Sequence, residues 1–333
     1  MKKNLFTLIA MAIVVSCSAG LEESHEIVNI QGSKGILVGN VDRPAIKSDK
    51  CPVVIIYHGL TGYRSENHIN AVADSLFAHG IAVVRFDFNG HGESEGEFVD
   101  MTLDNELLDA RKVFEYVEGL DWVDKSRIAI SGHSQGGLIT GVLAGDLGAD
   151  KVRCTVLMAP AACIHTMAIS GNMFGIDASQ EELPEYIEFW GGRHLGREYL
   201  RSACSMDVFG RSSAYKGPVL VLQGTKDSEE LMADAARYPD YLENCEYKWL
   251  EGLTHCYPEG PSTRFERLIQ GIQDYEKLRI LKASADAETL SRIEAILAPF
   301  KEVVTDDSLD AAGMVNKARI EINNEVTAHG TEQ

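Results

Sequence analysis

The segment Gly132-His133-Ser134-Gln135-Gly136 carries a G-x-S-x-G pattern. An apolar, β-branched run, Arg127–Ser131, precedes it, and a helical pattern over Gly137–Asp146 follows. A serine on a sharp turn between strand and helix presents its hydroxyl at a sheet edge, where it can act as a nucleophile. The hydroxyl stays a weak nucleophile until a base takes its proton. His255 is the candidate base, reached from the run Glu246–Leu250 through Glu251-Gly252-Leu253-Thr254. Such a base needs an acid to hold its tautomer and stabilise the imidazolium. Asp227 fits, just past the run Pro218–Gln223 in Gly224-Thr225-Lys226-Asp227. Alone, Asp227 could cap a helix and His255 could be a surface histidine. Their order along the chain argues that Ser134, Asp227 and His255 act together. Asp207 and Asp240 are weaker acids for the role, since neither directly follows a core strand.

A tetrahedral oxyanion needs donors. The loop His58-Gly59-Leu60-Thr61-Gly62 follows the strand Pro52–Tyr57 and is placed to supply one. The backbone N–H groups of Leu60 and Gln135 are therefore the expected oxyanion donors, each worth about 3 kcal/mol to the transition state. His91 reads as a residue that orders the loop after its strand, and His133 as one whose side chain points away from the serine. There is no C-x-x-C, no H-E-x-x-H and no early G-x-G-x-x-G, so no metal or cofactor is expected.

Positioning these groups requires alternating strands and helices. Runs at Pro52–Tyr57, Ile81–Phe86, Arg127–Ser131, Val152–Met158, Pro218–Gln223 and Glu246–Leu250 read as buried strands. Helical periodicity covers Asn67–Ala78, Leu103–Glu118, Gly137–Asp146, Glu229–Arg237 and Thr263–Leu278. The alternation predicts an α/β fold: a mostly parallel, doubly wound sheet with helices on both faces. Glu26–Gln31 and Gly35–Val41 read as an opening antiparallel hairpin. From about 161 to 216 no core strand appears, but apolar and aromatic residues do. That interval is too long for a loop and predicts a mainly helical cap. Met167, Phe174 and Trp190 in it are candidate pocket residues.

The chain opens with two lysines and an apolar run from Leu5 to Val15, the form of an export signal. The run is shorter than the ~20 residues of a membrane-spanning helix. Val14-Val15-Ser16-Cys17 resembles the lipobox of bacterial lipoproteins, which implies lipidation at Cys17 and a membrane anchor. Secretory cleavage near Ala19 is the competing reading. Residues 1–16 are thus expected to be a signal peptide and 17–25 a tether. The catalytic domain is expected over 26–278, and a helical extension over 279–333. This places the protein in the periplasm or cell envelope. Cap or tail would be the surface of any homo-oligomer. Fifty acidic residues against 31 basic ones give a net charge of -19, which argues against a nucleic-acid partner.

Residues about 27–277 resemble the α/β-hydrolase superfamily, and within it the cinnamoyl/feruloyl esterase branch, near the serine aminopeptidase-like and monoacylglycerol lipase-like hydrolases. The resemblance rests on five stretches: His58–Gly62, Asp87–Ser94, Gly132–Gly137, Ala159-Pro160-Ala161-Ala162 and Thr254-His255-Cys256-Tyr257. It implies that Ser134, Asp227 and His255 form the triad and that the cap shapes the acyl pocket. Relatives of that branch often carry polar cap residues for phenol hydroxyls, where this chain has Met167 and Phe174. A buried hydroxyl without a partner costs roughly 1–3 kcal/mol, so a less polar acyl group is expected. The expected activity is hydrolysis of a small-molecule carboxylic ester. An aminopeptidase or amidase shares every catalytic residue and is the alternative. A non-catalytic binding lipoprotein is the reading from another class.

Overall fold

The Val- and Ile-rich runs form the strands expected of them. The computed structural model describes residues 20–177, 183–189 and 192–257. The chain divides into two units. Of the described residues, the first holds those up to Val221 together with Asp234–Glu246, and the second holds Leu222–Ala233 and 247–257.

In the first unit, β1 (Ser24–Gln31) and β2 (Ile36–Arg43) form the antiparallel hairpin. Then come β3 (Cys51–Tyr57), α1 (Asn67–Ala78), β4 (Ala82–Phe86), α2 (Leu103–Gly119), β5 (Val123–His133), α3 (Gln135–Leu147) and β6 (Thr155–Met158). Strand β3 runs parallel to β4 and β5, and β5 runs parallel to β6. The eight-stranded sheet has the order β1-β2-β4-β3-β5-β6-β11-β12, and its last two strands, β11 (Val219–Gly224) and β12 (Cys245–Leu250), begin in this unit. All five residues of β4 are buried, as a strand covered on both faces requires. β1 begins inside the segment expected to be a tether, and Leu21 bridges Ile46. The export signal, Cys17, the Thr263–Leu278 helix and the C-terminal extension lie outside the described residues.

The cap is richer than a helical insertion. It contains α4 (Cys163–Ser170), α5 (Arg197–Ser205) and α6 (Val208–Ser212). It also contains two short antiparallel pairs: β7 (Asn172–Met173) with β8 (Ile176–Asp177), and β9 (Tyr186–Phe189) with β10 (Arg193–Gly196). Strands of two to four residues are too short to leave an alternating pattern in the sequence. The cap is tied to the body at the start of α2. There Thr102 and Asn105 form a reciprocal capping box, and the Leu103 N–H donates to Ser202 Oγ on α5 at 3.0 Å. That bond satisfies a helix-end donor that otherwise needs water.

The expected helix over Glu229–Arg237 stops at Ala235 as α7 (Glu229–Ala235), and a short separate helix, α8 (Tyr238–Tyr241), follows. Pro239, in the first turn of α8, accounts for the separation: it has no N–H to donate to Ala235 O and its ring would clash there, so α7 cannot run on through it. The second unit is held by bonds between its two loops. Thr225 N–H donates to Leu250 O at 3.1 Å, Lys226 N–H to Leu253 O at 2.9 Å, and Gly252 N–H to Thr225 Oγ1 at 2.8 Å.

Candidate functional site

Only Ser134 separates β5 from α3. Its backbone sits at φ 56°, ψ -121°, a region costly for a residue with a Cβ. Four hydrogen bonds enforce it. Ser134 N–H donates to Met158 O at 2.9 Å, and Ser134 O accepts from Gly137, Leu138 and Ala161 at 2.9, 3.1 and 2.9 Å. Gly136 has no room for a side chain: a Cβ there would lie 2.5 Å from Tyr57 O and closer still to His58 O. A Cβ on Gly59 would lie 2.8 Å from Ser134 Cβ and 3.4 Å from its Oγ. The loop after β3 therefore passes directly against the serine.

That loop has a fixed peptide orientation. Gly59 O accepts from His58 Nδ1 at 2.8 Å and from Gly62 N–H at 2.9 Å. His58 Nε2 accepts the Phe88 N–H at 3.0 Å, which assigns the ring proton to Nδ1. Burial pushes the His58 pKa down to about 4, so the ring is neutral. The peptide is trans, so a Gly59 carbonyl held toward His58 turns the Leu60 N–H the opposite way. Gln135 is the first residue of α3, and its N–H is one of the donors a helix N-terminus leaves over.

The Asp87–Ser94 stretch is scaffold. Buried Asp87 accepts the Arg64 N–H at 2.7 Å and the Glu93 N–H at 2.9 Å, and it pairs with the Arg64 guanidinium. His91 is buried, its ring 5.0 Å from that of His58 and its Nδ1 3.2 Å from Asn89 O. Burial, then the His58 charge, pushes its pKa down to about 3, so it is no base near neutrality. His133 is buried with its ring 4.2 Å from that of His68.

In the second unit, His255 Nδ1 lies 2.8 Å from Asp227 Oδ2. The Asp227 side chain is 2% exposed and that of His255 30%. Facing a carboxylate, Nδ1 carries the proton, which leaves Nε2 as the basic nitrogen. Gln223 Nε2 donates to the same oxygen at 2.7 Å, and Ser228 N–H to Oδ1 at 2.8 Å. Ser228, not Asp227, occupies the cap position before α7, so the carboxylate is left for the histidine. Gln223 was not read from the sequence; its place at the buried end of β11, four residues before the acid, was the available signal.

Asp207 caps α6 through Gly210 N–H at 2.9 Å, and Asp240 is exposed on α8. Phe174 packs on Phe189 inside the cap with ring centroids 5.1 Å apart, and Met167 is half-buried on α4. Trp190 lies outside the described residues. A groove of about 660 Å³ is lined by Lys34, Val99, Asn105, Leu108, Glu185 and Arg197 among others, and by none of the expected site residues that are described.

A solved structure of Est1E from Butyrivibrio proteoclasticus with ferulic acid bound matches 76% of this chain and 99% of its own. The identity is 31% and the TM-score 0.67. The chain belongs to the α/β-hydrolase superfamily. A family model described as serine aminopeptidase, S33, matches residues 48–180 of this α/β-hydrolase, a span that includes Ser134 but neither Asp227 nor His255. The α/β-hydrolase GrgF from Penicillium shares the fold at 18% identity, a TM-score of 0.56, and coverage of 70% of this chain and 92% of its own. The quorum-quenching protein AidA from Acinetobacter baumannii is 33% identical over 87 residues, which are 26% of this chain and 28% of AidA. The chain thus spans well under half the length of that curated relative.

Proposed function

We propose that this α/β-hydrolase is a serine esterase acting through Ser134, His255 and Asp227. Ser134 Oγ attacks the ester carbonyl carbon while His255 Nε2 takes its proton. The resulting oxyanion is met by the N–H groups of Leu60 and Gln135. The C–O bond to the alcohol then breaks, and His255 returns the proton to the departing oxygen. Water, deprotonated by His255, attacks the acyl-enzyme and releases the acid and Ser134. Asp227 keeps the proton on Nδ1 and stabilises the imidazolium. The observation that carries the reading is the Asp227–His255 bond of 2.8 Å in a chain that holds Ser134 at φ 56° on the turn from β5 into α3. The test is fluorophosphonate labelling of wild type and Ser134→Ala. Labelling of wild type alone is expected, and equal labelling of both would end the proposal.

The ester preference is supported by the likeness to Est1E, whose structure holds a carboxylic acid. Met167 and Phe174 favour an acyl group less polar than a hydroxycinnamate. The aminopeptidase reading has its own support in the family model matched over 48–180. Nitrophenyl esters of varied acyl chain, run beside aminoacyl-nitroanilides, separate the two. We also propose export and lipidation at Cys17, which the mass of the mature N-terminus tests. An unmodified terminus at another residue would sink it.

A further inference from the structure

The esterase mechanism uses the backbone of Gln135 but not its side chain, which is nonetheless buried in a chain of polar contacts. Gln135 Oε1 accepts the Tyr199 O–H at 2.7 Å. Its Nε2 donates to Glu106 Oε2 at 2.7 Å and lies 3.4 Å from Met101 Sδ. Tyr199 is fully buried, Glu106 is 1% exposed, and Glu106 Oε1 has no hydrogen-bond partner among the described residues. The three side chains come from α5 of the cap, α3 behind the serine, and α2. A Leu or Met at each position would fill the space without desolvating an acid, an amide and a phenol, so the polar contacts cost stability. The same α5 takes the Leu103 N–H at the head of α2, and the first cap residues reach Ser134 O through Ala161 N–H. The cap is thus bonded to Ser134 and to the residue after it.

We propose that Glu106 and Tyr199 are positioning residues. They hold the two amide atoms of the Gln135 side chain, and so complete the restraint on the backbone N–H that meets the oxyanion when α5 of the cap is seated. This inference rests on the esterase reading. Its physical content is that the peptide carrying the Gln135 N–H is held on its carbonyl side, where Ser134 O accepts from Gly137, Leu138 and the cap's Ala161, and on its other side by the Gln135 side chain between Glu106 and Tyr199. Acyl groups that displace α5 would loosen that anchor, so the cap would report on the substrate through the oxyanion donor.

The test compares Tyr199→Phe, Glu106→Leu and Glu106→Gln with wild type. The readouts are kcat and KM on a nitrophenyl ester, inhibition by a trifluoromethyl ketone of the same acyl chain, and melting temperature. The ketone forms a hemiketal oxyanion on the serine and needs the hole, whereas ground-state ester binding needs it little. Tyr199→Phe keeps the ring and removes only the hydroxyl. It should lower kcat about tenfold and weaken the ketone by a similar factor, with KM within about twofold. Glu106→Leu should do the same, and Glu106→Gln, which keeps an acceptor of the same size, should restore both. Wild-type kcat and ketone affinity in a folded Tyr199→Phe variant would overturn the inference, as would a lowered melting temperature with both unchanged. Failure of the esterase reading looks different: Ser134→Ala would keep its turnover, or the ketone would not inhibit wild type.

Discussion

Glu106 should make the folded state lose stability as the solution turns alkaline, and Glu106→Gln should abolish that loss. Burial pushes the Glu106 carboxyl from 4.5 up to about 8. In the unfolded chain it ionises near its ordinary value. Between those two values the folded protein holds a proton that the unfolded chain has released. Raising the pH across this window therefore favours unfolding, by about 1.4 kcal/mol per unit. The contribution is complete below about pH 4.5 and gone above about pH 8. Over 3.5 units the total is at most about 5 kcal/mol, comparable to the whole stability of a marginal domain. Glutamine has no proton to lose. The experiment is guanidinium unfolding of both proteins at pH 5, 6, 7 and 8. The difference, variant minus wild type, should rise by up to about 4 kcal/mol between pH 5 and 8. Glu66, pushed up to about 7 by burial, acts in the same direction, but it is present in both proteins and cancels. Curves that stay parallel across the range would refute the reasoning, since they would mean that Glu106 ionises alike in both states.

Asp227→Asn puts an amide against His255 Nδ1 and removes the acceptor that sets the tautomer; kcat should fall on the order of 10³-fold or more, read with a nitrophenyl ester. Ser134→Gly and Ser134→Ala both remove the hydroxyl, but only glycine relieves φ 56°, so the glycine variant should unfold at higher denaturant by about 1 kcal/mol or more. Gly136→Ala forces a Cβ against Tyr57 O and His58 O, backbone atoms that cannot rotate away; thermal melting should show a loss of about 1–3 kcal/mol, and an unchanged melting temperature would contradict the contact geometry.

The turn at Ser134 was legible because its physics demands particular residues. A strand that reverses into a helix across one serine brings backbones together at Gly132 and Gly136, and no other residue type fits there. The structure sharpened the turn, carrying β5 on to His133 and starting α3 at Gln135. The bounds of α1 at Asn67–Ala78 were readable from periodicity, but the cap hairpins were not. Glu106 is the instructive miss. Leu103, Leu107, Ala110, Val113, Phe114 and Val117 form the buried stripe of α2, and Glu106 stands three residues after Leu103 and four before Ala110, on the same face. An acid at such a position is either exposed by a shift of the helix or partnered inside, and the continuous stripe on both sides excludes the first. The partner could not be named from the sequence, because Gln135 reaches Glu106 across 29 residues and Tyr199 reaches Gln135 across 64, separations that only the packing of α2, α3 and α5 closes. The same logic covers Asp109, three residues further along α2. It is buried and accepts the Ser33 N–H at 2.6 Å, so a second acid facing the interior holds the β1–β2 turn. Two acids on one buried face raise each other's cost of ionisation, and Asp109 is among the groups that push Glu106 up. A helix selected only for packing would carry neither, so the polar residues of α2 are best explained by the loops they position: the opening hairpin for Asp109, and the start of α3 for Glu106.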